Sequence, residues 1–246
     1  MEESIYRRGK MAVSHAHTEA WTNQLQNNTG WRQAISSIEW NTDELTTFYQ
    51  FGVYTGGSIV TVLDAFKNVG KKIDMVYGFD SFEGLPKRTD KERQETIEKG
   101  ENYSWRSGDF NSNEFYDVGD SKEFLQAIFD EYLDVEVKLI KGWFEDTLNH
   151  DAVEKHDLKP AAYVDVDVDT YESSVEVLDF IFSKGIAVPG TVIGFDDWGG
   201  TPNWEQKGDG VSKACMETVE KYKLKLQLFI KAGTEYPHVH IVCCVR

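Results

Sequence analysis

From about residue 47 the chain alternates short apolar runs with longer stretches whose apolar residues recur every three or four positions. TTFYQFGVY predicts a first strand. GGSIVTVLDAFKNVG predicts a helix with Ile59, Val62, Leu63 and Phe66 on one face and Gly70 as its stop. KIDMVYGFD predicts a second strand. SKEFLQAIFDEYL predicts an amphipathic helix through Phe124, Leu125, Ile128, Phe129 and Tyr132. The strands VEVKLIKGWF and AAYVDVDVD follow, then the helix YESSVEVLDFIFSKG and, after the Pro189-Gly190 turn, the strand GTVIGFDD. GVSKACMETVEKYK is the last helix, and KLQLFIKAG and HVHIVCCVR predict a terminal antiparallel pair.

Alternating strands and helices imply a doubly wound α/β domain over residues 47–246, mostly parallel, seven-stranded, with an antiparallel C-terminal strand. Two regions break the pattern. Residues 1–46 carry Trp21, Trp31 and Trp40 among polar residues and are expected to form a helical N-terminal cap. A polar stretch at about 87–120 reads as an insertion over one face. Together these are the expected covering elements of a closing site.

Composition narrows the class. Of 246 residues, 40% are hydrophobic and 13% aromatic, which suits a packed core rather than disorder. A net charge of −16 argues against a nucleic-acid partner, because binding a phosphate backbone needs clustered positive charge. The N-terminal segment lacks the apolar stretch of a signal peptide, and no apolar run approaches a bilayer span, so no membrane partner is expected. Cys215, Cys243 and Cys244 show neither disulfide nor zinc spacing, which suits a reducing, cytoplasmic setting. Assembly into a homo-oligomer is left open.

The unusual residues fall at strand ends, where open parallel sheets bind ligands. The first strand runs into FGVYTGGS, whose Gly52, Gly56 and Gly57 allow a sharp turn and close approach to a ligand; its spacing matches neither the dinucleotide fingerprint nor the phosphate loop. The second strand ends at Asp80, an acidic position suited to ribose hydroxyls, although FDSFEGLP is also good turn chemistry. In AAYVDVDVDTYESS, Asp165, Asp167 and Asp169 alternate and would share one face of a strand. Asp196 and Asp197 end the next strand. Carboxylates converging from two neighbouring strand ends suit Mg2+ or Mn2+, which would relieve their repulsion. Trp198 is placed to stack on a sugar or simply to pack. His150, His156, His238 and His240 are alternative bases, each more simply read as structural.

DVDVD also resembles the Asp-x-Asp of metal-dependent glycosyltransferases that use nucleotide sugars, and of phosphatases with a nucleophilic Asp. The former lack an early glycine turn paired with an acidic second strand, and the latter carry their aspartates on the first strand. FGVYTGGS, YGFDSFEGLP, KGWFEDTL, VDVDTYESS and IGFDDWGG, in that order, resemble the macrocin O-methyltransferase (TylF-type) family over about residues 47–200. The resemblance implies a Rossmann-like methyltransferase domain that moves a methyl group from S-adenosylmethionine to a hydroxyl of a small molecule or glycan, most plausibly a sugar. It implies metal ligands at Asp167, Asp196 and Asp197, and a catalytic base at Asp169. It places the cofactor at Gln50, Gly52, Gly56, Gly57 and Ser58, with Asp80 and Ser81 at the ribose and Trp143 and Phe144 at the adenine. Gln50 stands where family members often carry Glu, which weakens attraction for the cofactor's positive groups. Asp165 has no counterpart role.

Overall fold

The computed structural model describes residues 44–86, 107–196, 198, 210–232 and 240–245, together with Ile35, Ser36, Ile38 and Trp40. The helical cap at 1–46, apart from those few positions and residues 44–46, lies outside the described residues. So do Trp21, Trp31, Asp197, His238 and residues 87–106 of the insertion.

The elements run β1 (Thr47–Phe51), α1 (Gly57–Asn68), β2 (Met75–Asp80), α2 (Ser112–Tyr116), α3 (Ser121–Tyr132) and β3 (Glu136–Lys141). Then come α4 (Phe144–Thr147), α5 (Ala152–His156), β4 (Ala161–Val166), α6 (Tyr171–Ser183), β5 (Val192–Phe195), α7 (Gly210–Tyr222), β6 (Leu226–Ala232) and β7 (His240–Val245). The strands lie in one sheet in the order β3-β2-β1-β4-β5-β7-β6. β1 to β5 are parallel, and β7 is antiparallel to both β5 and β6. The terminal pair is thus inserted backwards, with the last strand against the parallel core.

Central strands buried on both faces read as continuous apolar runs, and β1 and β4 are buried at every position. Alternate residues of β1 serve opposite layers. Phe48 packs with Ile59, Val62 and Phe66 of α1 and Leu125 and Phe129 of α3, whereas Tyr49 and Phe51 pack with Val177 and Ile181 of α6. Each such fully buried side chain contributes about 2 kcal/mol. Ile35 and Ile38 are buried in the α1 layer, and the Trp40 ring meets Phe66 edge-on at 5.0 Å. In α3, Leu125, Ile128 and Phe129 are buried as expected, but Tyr132 is 55% exposed and leaves the apolar face.

The sheet edge at β3 is capped by one side chain: Gln126 Nε2 donates to the Val137 carbonyl (2.7 Å) and its Oε1 accepts from Leu139 N–H (3.0 Å). This amide occupies groups another strand would otherwise pair with.

β4 ends earlier than its valine-aspartate alternation predicts. The strand stops at Val166, and Asp169 has φ +58°, in the left-handed region. The expected single face of Asp165, Asp167 and Asp169 is therefore broken: Asp165 lies inside the strand, and the other two lie beyond its tip. Among the described residues no helix is long and apolar enough to cross a membrane.

Candidate active site

The tips of β1, β4 and β5 are tied together one residue past the ladder. Asp167 N–H donates to the Phe51 carbonyl (3.1 Å) and Asp196 N–H to the Val166 carbonyl (3.2 Å). Gly52 N–H donates across to Phe79 of β2 (3.0 Å). Gly52 sits at φ +82°, and a Cβ there would lie 1.8 Å from the Asp167 carbonyl oxygen. Only glycine fits. Gly56, at φ +75°, precedes α1, and a Cβ there would meet the Phe129 ring at 2.6 Å. At both glycines the missing side chain makes room for the protein's own turn and packing. Gly57 and Ser58 open α1.

Asp80 organises this loop. Its Oδ2 accepts from Val53 N–H (2.7 Å) and Tyr54 N–H (2.9 Å), and its Oδ1 from Phe82 N–H (2.6 Å). Burial nevertheless pushes its carboxyl above the usual range, against the pull of these amides and of Ser81. The Ser81 hydroxyl also serves its own turn, donating to the Gly84 carbonyl (3.0 Å) and accepting from Glu83 N–H (3.1 Å). This Asp80 clamp was not legible in the sequence; only FDSFEGLP, as turn chemistry, hinted at it.

Gln50 is fully buried in β1, opposite Gly78 of β2 and Asp165 of β4. Its Nε2 donates to the Gly52 carbonyl (2.9 Å), and its Oε1 has no hydrogen-bond partner. Asp165 is fully buried with both carboxylate oxygens unpartnered. Burial, and then the charge of Asp196, raise its pKa well above the usual carboxylate value; the neighbouring Gln50 amide and Tyr163 hydroxyl pull the other way without reaching hydrogen-bonding geometry.

Asp167, Asp169 and Asp196 are half-buried at the strand tips. Asp169 immediately precedes Thr170, whose hydroxyl oxygen caps α6 by accepting from Ser173 N–H (3.2 Å). An L-residue held at positive φ costs about 1–2 kcal/mol, and such strain concentrates at functional positions. Among the described residues no group of three His, Cys, Asp or Glu is arranged to hold a metal ion. Two of the three expected carboxylates, Asp167 and Asp196, do stand on adjoining tips with oxygen-only chemistry suited to a hard cation, beside an uncompensated buried carboxyl.

Trp143 precedes α4, and Phe144 lies edge-on to Phe51 at 6.1 Å, at the carboxyl end of β3. Trp198 is not positioned for sugar stacking: it is 1% exposed and packs edge-on against Phe195 at 5.1 Å. His150 lies beside Lys184 (3.3 Å), just past the end of α6, and His156 ends α5; these places lead into the starts of β5 and β4, away from the aspartate tips. His240 is in β7.

Comparison with solved structures gives the class first. The chain has the Rossmann-like α/β fold of methyltransferases. It matches the O-methyltransferase NovP with a TM-score of 0.59 at 21% identity, covering 89% of this chain and 78% of that one. A calicheamicin methyltransferase matches with a TM-score of 0.54 at 20% identity, over 89% and 78% of the two chains. The family model described as macrocin-O-methyltransferase (TylF) matches residues 10–228, and the chain belongs to this family. Mycinamicin III 3''-O-methyltransferase of Micromonospora griseorubida is 26% identical over 174 residues, 70% of this chain and 58% of its own length. Demethyldecarbamoylnovobiocin O-methyltransferase of Streptomyces niveus is 25% identical over 228 residues, 92% of this chain and 75% of its own. The chain thus spans well under two thirds of the mycinamicin enzyme.

Proposed function

We propose that this chain is an S-adenosylmethionine-dependent O-methyltransferase acting on a hydroxyl of a small glycosylated molecule, with help from a divalent cation. The observation that carries the reading is the convergence at three strand tips, where the Gly52 turn lies against the backbone of Asp167 and Asp167 adjoins Asp196 through Val166. A donor loop and an acidic cluster thereby share one end of the sheet. Family membership, and relatives named for methylating mycinamicin and novobiocin precursors, favour methyl transfer over a nucleotide-sugar reading of DVDVD.

In this reading Gly52, Gly56, Gly57 and Ser58 receive the methionine part of S-adenosylmethionine, and Gln50 supports the loop from below. Asp80 and Ser81 flank the ribose, with Trp143 and Phe144 beside the adenine. Asp80 does this mainly by shaping the loop, since its oxygens already hold three amides. Asp169 takes the acceptor hydroxyl's proton while the oxygen bonds to the methyl carbon and the carbon–sulfur bond breaks. S-adenosylhomocysteine is released. Asp167, Asp196 and Asp197 would hold a Mg2+ or Mn2+ ion, which, when bound, makes a hydroxyl easier to deprotonate.

The test is methyl transfer from S-adenosylmethionine to a panel of glycosides, read by mass spectrometry. Asp169→Asn is expected to lower kcat about 100-fold or more while leaving S-adenosylhomocysteine binding within about twofold. Methylation undiminished in excess chelator would refute the metal role and leave the transferase reading standing.

A further inference from the structure

The loop between Gly52 and Gly56 is held from two directions, and only one comes from the parallel sheet. Asp80 takes the N–H groups of Val53 and Tyr54. The carbonyls of the same loop are taken by α2, which lies within the inserted stretch: Ser112 Oγ donates to the Tyr54 carbonyl (2.8 Å) and the Tyr116 hydroxyl to the Thr55 carbonyl (2.7 Å). Ser112 is fully buried. Tyr54 sits at φ +46°, a left-handed conformation disfavoured for an aromatic L-residue, so it persists only where its surroundings hold it. The Tyr54 ring adds to the contact, meeting Phe110 at 5.5 Å and Phe115 at 5.4 Å, both edge-on. Neighbouring backbone joins in: Leu85 N–H donates to the Asp109 carbonyl and Gly108 N–H to the Leu85 carbonyl, each at 2.9 Å.

We propose that Ser112 and Tyr116 are positioning residues for the methyl donor, holding the Tyr54 and Thr55 carbonyls so that the loop keeps the shape that receives S-adenosylmethionine. The proposal rests on the reading that this loop binds the donor. It makes part of the insertion a component of the donor site, and it gives the strained Tyr54 its restraint. Neither hydroxyl touches the reacting atoms, so their loss acts through donor affinity and not through the chemical step.

Tyr116→Phe removes one oxygen and keeps the ring against Phe115 and Phe124, each at 4.9 Å, so the fold has every reason to survive. Ser112→Ala and the double variant complete the set. Tyr222→Phe, which removes a hydroxyl that contacts Asp179 on α6, is the control. Titration calorimetry with S-adenosylhomocysteine is expected to show binding weakened about fivefold for each single variant and more for the pair, as one hydrogen bond near 1 kcal/mol predicts. The KM for S-adenosylmethionine should rise alike, with kcat within about twofold and Tyr222→Phe like the parent. Equal affinity in parent and Tyr116→Phe would overturn the proposal, as would a fall in kcat at unchanged KM. Absence of S-adenosylhomocysteine binding by the parent chain would instead overturn the donor-site reading beneath it.

Discussion

Asp80 and Asp165 are two carboxylates in the same sheet, one half-buried at a strand tip and one fully buried within a strand, and the fold treats them oppositely. Asp80 ends β2, where the chain turns and three backbone N–H groups point at it within 2.9 Å. Asp165 sits inside β4, where the ladder already uses the backbone, and neither of its oxygens has a hydrogen-bond partner. Position relative to the strand end makes the difference: a tip has amides to spare and an interior does not. A carboxyl at a tip therefore builds structure, whereas one buried in the interior is disfavoured as an ion and is held toward its protonated form.

This contrast can be broken by substitution. Gly52→Ala should be the most damaging change, because its Cβ would collide with the Asp167 carbonyl at 1.8 Å and φ +82° is strained for alanine. Loss of 3 kcal/mol or more, on the order of the largest single-site effects, is expected in denaturant unfolding. A parental midpoint would mean that the strand tips are not joined in this way. Asp80→Ala comes next: it strands the amides of Val53, Tyr54 and Phe82, and about 3 kcal/mol should be lost, with donor binding weakened. Asp165→Asn should move the other way and by less, raising Tm at neutral pH by an amount equivalent to about 1 kcal/mol. Burial and Asp196 make the folded acid hold a proton that the unfolded acid gives up, whereas Asn needs none; the gain should fade as pH falls toward the ordinary carboxylate range. If Asp165→Asn and Asp80→Ala destabilised equally in calorimetric melts, the distinction between tip and interior would be wrong.

Much of the architecture is legible along the chain. The helical period of Ile59, Val62 and Phe66 and the apolar runs of β1 and β4 need no tertiary information, because each element must bury its own apolar face. The candidate site is legible as a set of positions: a glycine turn after β1, an acid at the tip of β2, and acids around the ends of β4 and β5. What each side chain does there is less so. The regular alternation of Asp165, Asp167 and Asp169 suggests one acidic face, yet the strand stops at Val166 and Asp169 turns left-handed before the Thr170 cap. Trp198 follows the aspartate pair as a sugar-stacking residue might, but it is folded inward against Phe195.

The order of residues alone was enough to specify alternating strands and helices, the places where the chain must turn, and the family, because periodicity, glycine and acidic motifs are local properties. Tertiary structure alone decided that Asp80 is a clamp, that Asp165 is stranded, and that α2 braces the loop after β1. Hydrogen bonds between residues 26, 27, 58 and 61 positions apart have no signature in either partner's neighbourhood, and exist only once the sheet brings the segments together.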